Sequence, residues 1–245
     1  MLDKIKELLK IESDKPLQKT PFHIALSMHG VKKWASNNKK TVNEAYIKSF
    51  EILKELIEVQ LKEKIRIFSI YIIPESMRDS VETTDKFIEF VEYLEKSELI
   101  SKNQVKVSVL GKWYDLPNRA IDPIKKIISE TKDYDNFFLN LCINYNGQEE
   151  IVDSVKIIAR KVAADKLDPE SITKELIKEN IYSSYFLPPD IIIKTGIKRR
   201  TFGFLLWDSV KAHTYFADRL FPEFTKKDFY KAIKEWEKYK EYIYK

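Results

Sequence analysis

Short apolar runs of strand length recur along this 245-residue chain at His23–Met28, Ile65–Tyr71, Val105–Leu110, Phe137–Ile143 and Asp190–Lys194, with a further short run at Phe204–Trp207. The runs are close to continuously apolar, as strands buried on both faces are, and longer segments of helical period lie between them. That alternation predicts an α/β fold, a mostly parallel six-stranded sheet flanked by helices. At 44% hydrophobic content and with no second composition regime, the chain reads as one domain over residues 1–245.

The helical segments carry their own start and stop signals. Thr41-Val-Asn-Glu44 has the spacing of a capping box, and Tyr46, Phe50, Leu53 and Ile57 follow at helical intervals, so a helix is expected from about 42 to 62. Pro74 interrupts the pattern, after which Phe87, Phe90, Val91 and Leu94 place a second helix at about 80–98. Gly147 to Asp165 reads as another helix, and Asp168-Pro169 as the cap of a short one ending near Asn180. Thr225-Lys-Lys-Asp228 opens the last, to about Tyr242, while Pro188-Pro189 marks the turn into the fifth strand.

Composition and absent motifs remove several function classes. The formal net charge of +5 is spread along the chain, and acids interrupt the basic and aromatic stretch Lys234–Lys240, so no nucleic-acid partner is expected. A single cysteine, Cys142, lies within an apolar run and permits neither an internal disulfide nor a cysteine metal cluster. No P-loop, Gly-x-Gly-x-x-Gly, His-Glu-x-x-His or Gly-x-Ser-x-Gly pattern is present, which argues against nucleotide hydrolysis, zincin chemistry and serine-esterase chemistry. Met1 to Ile11 alternates charged and apolar residues, unlike a signal peptide or a membrane span, so a soluble cytoplasmic protein is expected, with peripheral membrane contact left open.

Three stretches, in order, carry a family signature. They are His23-Ile-Ala-Leu-Ser-Met-His-Gly-Val-Lys-Lys-Trp34, then Leu141-Cys-Ile-Asn-Tyr-Asn-Gly-Gln-Glu-Glu-Ile-Val152, then Pro189-Asp-Ile-Ile-Ile-Lys-Thr-Gly196 running through Phe204–Trp207 and Tyr215-Phe216 to Leu220-Phe-Pro-Glu-Phe224. The chain resembles the cis-prenyltransferase, or undecaprenyl diphosphate synthase, family over nearly its whole length. The resemblance implies an allylic diphosphate bound at the loop after the first strand, isopentenyl diphosphate as second substrate, Mg²⁺ as cofactor, and an apolar tunnel for the product. It implies diphosphate-binding roles for Gly30, Lys33, Lys194 and Arg200, with lysine at positions 33 and 194 where the family carries arginine.

The same alignment marks departures. His29 stands at the catalytic aspartate, Val31 at a family asparagine, and His213 at the second acidic magnesium ligand. Imidazole is a poor partner for Mg²⁺, which prefers oxygen, so His29 and His213 are expected either to form a changed metal site or to be relics of a lost one. By the same resemblance, Val42, Tyr46 and Phe202 replace other family residues that contact diphosphate, and Gln148 replaces a family arginine.

Three functional expectations follow from the resemblance and its losses. The first is a degenerate subunit of polyprenyl diphosphate (glycosyl carrier lipid) synthesis, as a homodimer or as a heterodimer with an active cis-prenyltransferase. The others are an active prenyltransferase with altered metal or acceptor chemistry, and a prenyl-diphosphate or lipid-binding module. Phe87 and Phe90, if they line a tunnel, would favour short ligands.

Overall fold

The computed structural model describes residues 20–74, 81–201 and 203–243. Six strands, β1 (His23–Ser27), β2 (Ile67–Pro74), β3 (Val105–Leu110), β4 (Phe137–Tyr145), β5 (Ile191–Lys194) and β6 (His213–Phe216), form one sheet in the order β3-β4-β2-β1-β5-β6. Every pairing is parallel. The helices are α1 (Val31–Asn37), α2 (Val42–Lys62), α3 (Val81–Lys96), α4 (Glu98–Lys102), α5 (Asn118–Glu130), α6 (Gly147–Ala163), α7 (Lys174–Asn180) and α8 (Lys226–Ile243).

The strand period explains why the apolar runs are continuous. Ile24 and Leu26 point into one core with Phe68, Ile70, Leu139 and Ile193, while Ala25 points into another with Ile67, Tyr71, Cys142 and Ile192. Covering both faces leaves no solvent side on which a polar residue could alternate. The capping box forms as the sequence predicts: Thr41 Oγ1 accepts from Glu44 N at 3.1 Å, and Glu44 Oε2 accepts from Thr41 N at 2.8 Å.

One predicted strand is corrected. Phe204–Trp207 is a turn, and the sixth strand is His213–Phe216, whose residues pair with β5 from Ile191↔His213 to Lys194↔Phe216. Phe204 is apolar because it stacks on Tyr71 at 5.1 Å between ring centroids, and Leu205 is buried with positive φ, so tertiary packing rather than a ladder requires these side chains. Helices α1, α4 and α5 go beyond the predicted set, and the short helix ending at Asn180 is capped by Thr173, with only a 3-10 turn after Asp168.

A polar ladder crosses the middle of the sheet. Asn140 Nδ2 donates to Ser69 Oγ at 3.0 Å, Ser69 Oγ lies 2.8 Å from His23 Nε2, and His23 Nδ1 lies 2.6 Å from the Leu187 carbonyl. A carbonyl only accepts, so Nδ1 carries the proton and Nε2 accepts from Ser69. Burial lowers the His23 pKa from 6.5 to about 3. The sign follows: below pH 6.5 the unfolded chain takes a proton that the folded chain refuses, so stability falls as pH drops from about 6.5 toward 3. Replacement of His23 by Gln is expected to shrink the pH dependence in this window while costing roughly 1–3 kcal/mol near neutrality, read from denaturant unfolding at a series of pH values.

Candidate diphosphate site at the carboxyl ends of β1 and β5

The chain leaves β1 toward β2 and leaves β5 toward β6, so the two connections part company between β1 and β5. In open α/β sheets ligands bind in the crevice at such a switch point, beyond the carboxyl ends of the strands. Here that crevice is edged by Ser27, Met28, His29 and Gly30 on one side and Lys194, Thr195 and Gly196 on the other.

Register puts Ser27 opposite Lys194. Lys194 is 1% exposed, and its Nζ donates to Ser27 Oγ at 2.8 Å and to the Thr201 carbonyl at 3.1 Å. Ser27 Oγ also makes a short hydrogen bond with His29 Nδ1. Thr195 Oγ1 ties the loop down, accepting from His29 N at 2.9 Å and donating to the Ser27 carbonyl at 2.7 Å. Burial lowers the Lys194 pKa from 10.5 to about 7, and burial, with Lys194 next in effect, lowers that of His29 from 6.5 to about 3.

Gly30 is required by its backbone and its neighbour. Its φ of +93° precedes α1, and a Cβ there would stand 2.5 Å from Leu220 Cδ2. The space that a side chain would take is thus filled by the protein itself.

A cavity of about 140 Å³ opens beside this loop. His29, Gly30, Lys32 and Lys33 make its polar wall, and Met28, Val31, Tyr46, Tyr71 and Ile72 its apolar wall. Lys32 and Lys33 lie in the first turn of α1 and are exposed. Tyr71 fixes one side, its hydroxyl donating to the Tyr145 carbonyl at 3.0 Å and its ring 5.8 Å from that of His29. Tyr46 stacks on Phe50, which stacks on Phe90 at 4.8 Å, so bulky aromatics fill the space between α2 and α3 behind the cavity.

The sequence-predicted residues are brought together unevenly. His29, Gly30 and Lys33 line the cavity, and Lys194 joins them through Ser27. Arg200 lies on an exposed turn after β5, where its backbone N–H bonds to the Lys198 carbonyl at 2.9 Å. His213 begins β6 opposite Ile191, three residues before the Lys194 level, so about 10 Å of strand separates it from the His29 end of the sheet. Its Nε2 faces Glu235 of α8 at 3.1 Å, and its ring stacks on Tyr239. The two histidines therefore do not share a site within one chain, because parallel register places them at opposite ends of β1 and β6, with β5 between the two strands. Among the described residues, no group of three or more His, Cys, Asp or Glu side chains is arranged to hold a metal.

Sequence reasoning passed over Ser27, Thr195 and Tyr71. Ser27 had a signal: it lies two residues before His29 and is the polar residue that follows the apolar run Ile24 to Leu26 in its strand.

Two outcomes are expected. Gly30→Ala should lower stability by about 1–3 kcal/mol, seen as a reduced melting temperature. For Lys194, the unfolded amine holds its proton up to about pH 10.5 and the folded one only to about 7, so stability should rise with pH across that interval. Lys194→Met should flatten that rise, read from unfolding free energies over the same pH range.

Comparison with known proteins agrees with this geometry. A family model described as "Putative undecaprenyl diphosphate synthase" matches residues 27–243. The chain is 33% identical over 223 residues to a tritrans,polycis-undecaprenyl-diphosphate synthase (geranylgeranyl-diphosphate specific) of Pyrococcus horikoshii, covering 89% of this chain and 84% of that protein. It is 32% identical to the synthase of the same name from Thermoplasma acidophilum, covering 89% and 86%. The crystal structure of lavandulyl diphosphate synthase from Lavandula x intermedia, in complex with dimethylallyl diphosphate, superposes with a TM-score of 0.83 at 25% identity, covering 89% of this chain and 96% of that one. Sequence match, sheet topology and the placement of the cavity at the β1 loop converge: the chain belongs to the cis-prenyltransferase, or undecaprenyl diphosphate synthase, family.

Proposed function

We propose that this chain binds a prenyl diphosphate in the crevice beside His29 and serves polyprenyl diphosphate synthesis as a catalytically weakened subunit, paired with an active cis-prenyltransferase. The observation that carries this reading is the make-up of the cavity wall. Lysines 32 and 33 and the His29 ring stand beside Met28, Val31, Tyr46 and Ile72, which suits a ligand with an anionic head and a hydrocarbon tail. None of the described wall residues is a carboxylate.

Among the described residues, the donor set does not fit a protein-held Mg²⁺. The ion takes oxygen ligands in octahedral geometry, whereas position 29 offers an imidazole already bonded through Nδ1 to Ser27. The Lys194 amine lies on that same hydroxyl and would repel a cation in its protonated form. Transition-state charge stabilisation of this kind is typically worth a few kcal/mol, so its loss supports weak turnover by this chain alone.

Pairing with a second subunit is supported by the β5–β6 side of the sheet. β6 is an edge strand of half-buried residues, and Ile197, Leu206 and Val210 stand exposed in the segments that flank it, Val210 at 86%. No helix among the described residues is long and apolar enough to cross a membrane.

Identity to named synthases over 89% of the chain favours a second reading, an active transferase with altered acceptor chemistry. An isopentenyl transfer assay with geranylgeranyl diphosphate separates the two. The chain alone in Mg²⁺ is expected to show turnover at least about a hundredfold below an active relative, and to raise the activity of a co-expressed family member that carries the aspartate. Full turnover alone would overturn the weakened-subunit reading, and so would failure to stimulate the partner.

A further inference from the structure

The cavity at the β1 loop has room for one end of a prenyl ligand and little more. Its volume is about 140 Å³, shared between a polar wall that includes Lys32 and Lys33 and an apolar wall that includes Met28, Tyr46 and Ile72. An apolar cavity of roughly 150 Å³ takes a molecule the size of benzene, about six carbons. With part of the space facing the lysines, the share left for hydrocarbon corresponds to about one five-carbon unit.

The inner wall is already filled. Tyr46 is buried on α2 where it lines the cavity, and its ring stacks on that of Phe50, with centroids 6.1 Å apart. Phe50 stacks in turn on Phe90 of α3 at 4.8 Å, and both of these rings are buried. Tyr71 is held as well, its hydroxyl on the Tyr145 carbonyl at 3.0 Å and its ring stacked on Phe204 at 5.1 Å. Protein interiors are packed to the density of organic crystals, so a longer tail would have to displace rings that fill the space between α2 and α3. On the side of the exposed lysines it would lie in water, where further carbons add no burial.

We propose that Tyr46, backed by the Phe50 and Phe90 rings, limits this site to a prenyl diphosphate with a five-carbon tail. The inference rests on the prenyl diphosphate reading above and deepens it by assigning the length of the ligand. It sets this chain apart from the Pyrococcus horikoshii and Thermoplasma acidophilum relatives, whose names specify geranylgeranyl diphosphate.

Titration calorimetry of the full chain with inorganic diphosphate and with dimethylallyl, geranyl and geranylgeranyl diphosphates, in Mg²⁺ throughout, varies only the tail. Dimethylallyl diphosphate is expected to bind about tenfold or more tighter than inorganic diphosphate, the gain from burying a few carbons. The two longer ligands are expected to bind no tighter than dimethylallyl diphosphate. Phe50→Ala opens space behind Tyr46 and should tighten geranyl diphosphate about tenfold, with little change for dimethylallyl diphosphate. Tyr46→Leu, a milder change to the same wall, should shift the preference the same way and serves where Phe50→Ala does not fold. Tighter binding of either longer ligand by the unsubstituted chain overturns the length limit, and so does equal affinity for inorganic and dimethylallyl diphosphates. Folded variants that gain nothing for geranyl diphosphate overturn the assignment to Tyr46 and Phe50. Absence of binding by all four ligands overturns the prenyl diphosphate reading itself.

Discussion

The register between β1 and β5 sets Ser27 opposite Lys194, and the site depends on that contact. A lysine that is 1% exposed must find acceptors or lose its charge, and this one does some of both. Its amine holds Ser27 Oγ on β1 and the Thr201 carbonyl beyond β5, so one side chain ties the first-strand loop to the turn that carries Arg200. Desolvation brings its pKa down to about 7. Thr195, the next residue, completes the join through three hydrogen bonds to the backbone of Ser27 and His29.

Around this junction the sheet supplies a stiff frame. The ladder from Asn140 through Ser69 to His23 binds three adjacent strands with side-chain hydrogen bonds inside an otherwise apolar core. Gly147, at the start of α6, lies so close to the Gly203 carbonyl that a Cβ would stand 2.1 Å from it, which locks the turn after Arg200 against the end of β4. Tyr71, Tyr145 and Phe204 pack in edge and stacked contacts beneath that turn. The apolar walls of the cavity are consequently held by buried groups, while His29 and Gly30 are half-buried and Lys32 and Lys33 are exposed.

Much of the frame was legible from the chain. Continuous apolar runs named five strands to within a few residues, because burial on both faces writes itself directly into composition. Thr41 and Glu44 announced α2 through a local reciprocal hydrogen bond that needs no tertiary partner. The sixth strand escaped because β6 is short, half-buried and polar at His213 and Thr214, whereas Phe204–Trp207 is more apolar yet folds as a turn. An edge strand owes its existence to the backbone of its neighbour, and sequence pattern carries little trace of that.

The sequence by itself determined the fold class and the family, since each is written in residue order or in local pattern. Which residues cooperate was decided only by the tertiary structure. Strand register sent His213 to the far end of β6 and brought Lys194, 167 positions away in the chain, onto Ser27 beside His29. Which side chains meet is a property of neighbours in space, and a linear motif records only neighbours in sequence.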